Sequence, residues 1–165
     1  MDKHIIALLK EGRSVAVRAT GLSMHPFLRP GDIVVIRPIK DRERILPGEL
    51  VLYEQDGGRW VVHRVIRVMG EGGAVFLTKG DALPLPDQPV EKGRVAGKAV
   101  SIRRPAGREY SLETTLSRRF NALIAILSRW EARCFKLLPA GVRGSEFLSR
   151  LVKAPKWLLI KMLYP

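Results

Sequence analysis

The sequence predicts a mainly β domain with a short N-terminal helix over residues 1–103, followed by a basic, amphipathic helical tail over residues 104–165. Three observations predict it. Short runs rich in Val and Ile recur between residues 13 and 102, separated by Pro and Gly punctuation, as in an all-β domain. After Arg103 the apolar residues recur at helical spacing instead. The charge also changes: 16 Lys/Arg stand against 12 Asp/Glu before residue 103, and 13 against 4 from there on.

The elements follow in order. Residues 3–11 read as a short helix stopped by Gly12. Strand-like runs come next at Ser14–Ala19, Asp32–Arg37, Leu50–Tyr53, Trp60–Met69, Ala74–Thr78 and Arg94–Ile102. Turn signals lie between them: Arg29-Pro30-Gly31, Pro47-Gly48, Gly57-Gly58, Gly70 with Gly72-Gly73, and Leu83–Pro89 with three prolines. In the tail, Phe120, Leu123, Ile124, Leu127, Trp130, Cys134, Phe135 and Leu138 form one apolar stripe. After Pro139 and Gly141, Phe147, Leu148, Leu151 and Val152 begin a second stretch. Pro155 is expected to break it before Trp157–Tyr164.

Composition narrows the function classes. Hydrophobic residues at 46% and charged residues at 27% fit a globular chain and exclude a disordered one. A chain of 165 residues buries enough apolar surface to fold without staples. Its single cysteine, Cys134, excludes an internal disulfide and a multi-cysteine zinc site. No metal and no cofactor is expected. The net charge of +13 favours an anionic partner, a lipid surface or a nucleic acid. No aromatic–basic strand pattern of a nucleic-acid reader accompanies it, so no specific nucleic acid is expected. No apolar stretch reaches spanning length, and Ile5–Leu9 is too short for a secretory signal core.

Chemistry centres on Thr20-Gly21-Leu22-Ser23-Met24-His25-Pro26-Phe27. A serine beside a glycine, on a turn between two strands, can hold its hydroxyl clear of the backbone. It becomes a useful nucleophile only when a neighbouring base takes its proton. On a strand, His63 shares a face with Val61 and Val65, so it should be partly desolvated. Desolvation favours a neutral imidazole, the form that accepts a proton. A carboxylate on its other ring nitrogen would fix the useful tautomer. Lys40 and Lys79 are poorer bases on this reading, since both fall in loop-like runs that would not desolvate an amine.

Gly-x-Ser-Met-x-Pro, Gly-Asp-Ile-Val-Val-Ile, His63-Arg64-Val65-Ile66, Thr78-Lys79-Gly80-Asp81-Ala82, Asp87 and Val95-Ala96-Gly97 occur in this order. Over about residues 19–102 the sequence resembles signal peptidase I, within the wider group that includes LexA-like self-cleaving proteins. It looks most like the endoplasmic-reticulum, archaeal and spore-former branch, in which histidine replaces the lysine base. The resemblance implies a signal-peptidase/LexA-like β domain and a serine endopeptidase that cleaves a leader or signal-like peptide. Ser23 would be the nucleophile and His63 the general base, with Asp81 or Asp87 orienting the imidazole. Asp81 is favoured, because Asp87 lies among prolines where a structural turn is common. Gly21, Met24 and Pro26 would line the substrate, and the oxyanion would rest on the Ser23 backbone N–H. The family's usual second Gly-Asp is Gly48-Glu49 here.

No amino-terminal anchor of the family's kind precedes Ser23, so peripheral attachment is expected, at the cytoplasmic side of a membrane. Residues 117–165 would supply it, with aromatics in the interface and arginines at lipid phosphates; the alternative is that the tail packs its apolar stripe on the β domain. The rival readings are a catalytically inactive peptide-binding or membrane-associated module on the same scaffold, and a LexA-like regulator. The few residues before Ser23 leave the regulator no DNA-binding unit.

Overall fold

The computed structural model describes residues 3–40, 43–138 and 146–164, with side chains described for residues 4–40, 43–138 and 152–164. Helix α1 (Lys3–Lys10) leads into strands β1 (Val15–Arg18), β2 (Ile33–Arg37), β3 (Leu50–Gln55), β4 (Arg59–Met69), β5 (Val75–Lys79), β6 (Val90–Glu91), β7 (Val95–Arg103) and β8 (Glu109–Ser111). Helices α2 (Thr115–Leu137) and α3 (Glu146–Leu163) complete the described chain. The strands form an antiparallel sheet in the order β1-β2-β7-β3-β4-β5-β6, with β8 added to β7. The fold is thus β-dominated, with helices at both ends, as the sequence predicts.

Alternation along the strands gives each sheet face its own core. Leu50 and Leu52 point to one face, with Val34, Ile36, Ala99 and Ile102. Met24 and Phe27 of the Ser23 turn, Ile124 of α2 and Ile160 of α3 join them there. Val51 and Tyr53 point the other way, into a smaller core with Ile45, Val65, Phe76 and Val90. Burying each of the Val, Leu, Ile, Met and Phe side chains contributes roughly 1.5–3 kcal/mol, so both faces are strongly specified.

Three expectations change. Strands β6 and β8 are too short, at 2 and 3 residues, to show a period in the sequence. Pro155 does not break the second tail stretch, since α3 runs through it. A proline in a helix costs about 3 kcal/mol, which the burial of Ile160 and Tyr164 after it offsets. Finally, the buried side of α2 is rotated from the expected stripe: Asn121, Ile124, Ala125, Ser128, Glu131, Ala132 and Phe135 are buried. Leu123 and Trp130 of the expected stripe are exposed. The rotation brings polar groups inward because the sheet face beneath α2 carries buried cations. The expected break at Pro139 and Gly141, and the side chains of Phe147, Leu148 and Leu151, lie outside the described residues.

α2 begins at Thr114, whose side chain accepts from the Ser117 N–H at 3.1 Å and satisfies a first-turn donor. It then seats against Gly48. A Cβ on Gly48 would come within 2.6 Å of the α2 backbone at Asn121 and Ala122, so no larger residue fits. This explains the Gly48 punctuation better than a turn alone does.

Candidate active site

Ser23 lies in the turn between β1 and β2, half-buried, with Gly21 and Leu22 exposed before it. His63 lies on β4 directly opposite Val51 of β3, and only 2% of it is exposed. Val61 and Val65 flank it on this face, within the smaller core. The His63 Nε2 is 3.0 Å from the Ser23 Oγ, and its Nδ1 is 2.7 Å from Asp87 Oδ2. Forty residues of chain separate serine and histidine, and 24 separate histidine and Asp87. The fold alone closes those gaps.

Asp87 follows the proline-rich loop, where its N–H donates to the Thr78 carbonyl at 2.9 Å. The Thr78 hydroxyl donates to Asp87 Oδ2 at 2.9 Å, and the Gln55 amide approaches Oδ1 at 3.4 Å. Burial pushes the Asp87 carboxyl upward, but hydrogen bonding and charge from His63, with help from Thr78 and Tyr53, hold it below the ordinary aspartate value. It therefore stays ionised beside the imidazole. Tyr53 closes the same side, its hydroxyl 3.4 Å from His63 Nδ1. Burial and the Asp87 charge push that phenol up to about 12, so it remains a neutral donor.

Asp81 sits elsewhere, which corrects its preference over Asp87 as the partner of His63. Arg64 Nη2 donates to Asp81 Oδ2 at 2.8 Å and Arg64 Nε to Oδ1 at 3.0 Å, both side chains fully buried. The reason is strand alternation. His63 and Arg64 are neighbours on β4, so they point to opposite faces, and each recruits its own carboxylate. Arg64 also donates to the Gly48 carbonyl and Asn121 Oδ1 at 2.9 Å each, and lies 4.4 Å over the Phe27 ring. Asp81 is desolvated, yet the charge and hydrogen bonds of Arg64, with Lys156 and Lys79 behind, keep its carboxyl below the ordinary value.

Lys79 is also corrected. It ends β5 opposite Arg64 and is fully buried, not loop-exposed. Burial and the Lys156 charge pull its amine down to about 8 despite Glu131 and Asp81. A depressed amine could serve as a base, but this one faces Glu131 at 3.1 Å, on the α2 side of the sheet. Glu131 also receives Lys156 of α3. Arg64, Lys79 and Lys156 thus meet Asp81 and Glu131 in one buried cluster that no spacing rule in the sequence discloses.

The residues expected to line the substrate divide. A Cβ on Gly21 would meet nothing within 4 Å, so the backbone there is open to an approaching chain. Met24 and Pro26 are buried. Met24 belongs to the larger core and its sulfur accepts from the Asp81 N–H at 3.4 Å, so both fix the turn from below. Asp32 accepts from the Arg29 N–H at 2.7 Å and pairs with Arg104, supporting the turn. His25 meets the Trp157 ring edge-on at 5.2 Å. A Cβ on Gly80 would lie 2.6 Å from the Ser23 carbonyl oxygen. That close approach lets Ala82 N–H reach the same oxygen at 2.8 Å.

The fold and site together define a β-dominated protein that carries a serine turn and a strand histidine in hydrogen-bond contact. The Peptidase S24-like family profile matches residues 3–100, and the chain belongs to that family. It is also similar to signal peptidase I W of Bacillus subtilis (strain 168), with 27% identity over 85 residues, covering 50% of this chain and 45% of that protein. The chain therefore spans less than half the length of this relative. Together the two likenesses place it in the S24/signal peptidase I group.

Proposed function

We propose that this chain is a serine endopeptidase acting on a leader or signal-like peptide, with Ser23 as nucleophile, His63 as general base and Asp87 as the group that orients it. The continuous contact from Ser23 Oγ through both ring nitrogens to Asp87 supports this reading. Asp87 accepts the Nδ1–H, which leaves Nε2 unprotonated toward the serine. His63 Nε2 takes the hydroxyl proton as Oγ attacks the scissile carbonyl, and later gives it to the leaving amine. The Ser23 N–H receives the oxyanion. Asp87 stays ionised throughout and stabilises the imidazolium. A base of this kind contributes roughly two to four powers of ten in rate.

Attachment to an anionic membrane surface completes the proposal. Among the described residues no helix is long and apolar enough to cross a membrane. On the face of α2 turned from the sheet, however, Leu123, Ile126, Trp130 and Leu137 are exposed. Arg119 and Arg133 lie on the same face and are exposed too. An apolar strip edged with arginines fits the boundary between acyl chains and phosphates.

Cleavage of a degenerate decapeptide library, read by mass spectrometry, tests the chemistry. Wild type is expected to cut, and Ser23→Ala and His63→Ala are not. Equal product from wild type and Ser23→Ala removes the enzyme reading and leaves a peptide-binding scaffold. Sedimentation with phosphatidylglycerol vesicles tests the surface. Binding is expected to weaken with salt and in Trp130→Glu, and no sedimentation at low salt refutes it.

A further inference from the structure

α3 lies far from Ser23 in the sequence, yet it grips the turn that holds it. Lys156 Nζ donates to the Asp81 carbonyl at 2.6 Å, and Lys153 Nζ to the Ala82 carbonyl at 2.9 Å. The Asp81 carbonyl and the Ala82 N–H belong to one planar peptide group. That N–H donates to the Ser23 carbonyl at 2.8 Å. A cation on one end of a peptide group polarises it and strengthens the hydrogen bond at its other end. The Lys156 ammonium therefore acts, through a single peptide, on the backbone of Ser23. The Trp157 and Tyr164 rings add to this, meeting His25 at 5.2 Å and Phe27 at 4.7 Å. Arg29 of the same turn donates to the Tyr164 carbonyl at 3.3 Å.

Fold stability alone does not account for Lys156. It is 1% exposed and lies in a cluster where three cations share two carboxylates. Desolvating an ammonium is costly, and an apolar side chain of similar length would join α3 to α2 more cheaply. A methionine there could not donate to the Asp81 carbonyl. We propose that α3 is a brace for the nucleophile turn, with Lys156 as the positioning residue that sets the Ser23 backbone through the Asp81–Ala82 peptide. Its kinetic consequence rests on the peptidase reading; the brace itself does not.

Lys156→Met in the full chain tests it by hydrogen exchange. Amides in peptides covering residues 20–28 and 80–84 are expected to exchange about tenfold faster, as for loss of one charge-assisted hydrogen bond. Amides of β4 should not change. Cleavage of a peptide selected from the library is expected to fall ten- to hundredfold in kcat with KM held within twofold, the pattern of a misplaced nucleophile. Unchanged exchange at residues 20–28, faster exchange across β4 as well, or an unchanged kcat overturns the positioning role. If Lys156→Met does not fold, Lys156→Gln, which keeps a polar end without the charge, is judged by the same criteria. If wild type cleaves nothing, the peptidase reading fails while exchange still decides the brace.

Discussion

Asp81 and Asp87 lie six residues apart, yet the structure assigns them opposite consequences on removal. In Asp87→Asn the amide must face His63 Nδ1 where the carboxylate accepted at 2.7 Å. When its NH2 group faces the ring, the imidazole adopts the other tautomer, with its proton on Nε2 facing the Ser23 Oγ. It then cannot take the serine's proton, and the rate is expected to fall by about four powers of ten. The fold should survive, since Thr78 and Gln55 can still bond the amide. Asp81→Asn does the reverse. Arg64 would keep its charge, fully buried, without the carboxylate that three of its contacts reach. Breaking such a pair from one side costs roughly 3–5 kcal/mol. For a chain of this size each kcal/mol lowers Tm by about 2–4 °C, so a fall of roughly 10 °C is expected. Calorimetry and library cleavage, measured on both variants at a temperature where both are folded, give a double comparison. Should Asp81→Asn lose cleavage with Tm intact while Asp87→Asn cleaves like wild type, the assignment of the two carboxylates is refuted.

The buried cation excess predicts a pH dependence. The Lys79 amine titrates near 8 in the fold against 10.5 in the unfolded chain, so between those values the unfolded state binds more protons. Stability then rises with pH across that window, by up to about 3 kcal/mol from this group. Lys79→Met, which leaves two cations with two carboxylates, should flatten the rise in urea titrations at pH 7.5 and 10; equal slopes for both proteins refute it. Gly80→Ala places a methyl 2.6 Å from the Ser23 carbonyl oxygen. It should lower cleavage at least tenfold and cost about 1–3 kcal/mol through strain, as urea unfolding would report. Glu131→Gln leaves Lys79 and Lys156 without their shared carboxylate, and is expected to lower Tm by roughly 10 °C.

Periodicity and punctuation, both local properties, made most of the strands, α1 and α2 legible. The candidacy of Ser23 and His63 rests instead on the order of short motifs over residues 19–102 that resembles signal peptidase I, since a serine in a glycine-bearing turn or a histidine among valines is by itself more often structural. The sequence also placed both aspartates near the site, but it could not rank them. That ranking turns on which face of β4 each carboxylate meets, and loop paths of a few residues decide it. Lys79 is buried and not loop-exposed because α2, which is distant in the sequence, covers it. Only tertiary structure set the Arg64–Asp81–Lys79–Glu131–Lys156 cluster, the rotation of α2 and the reach of α3 back to Ser23. A sequence window records what a segment can bury, whereas what a buried charge is paired with depends on elements that meet only after folding.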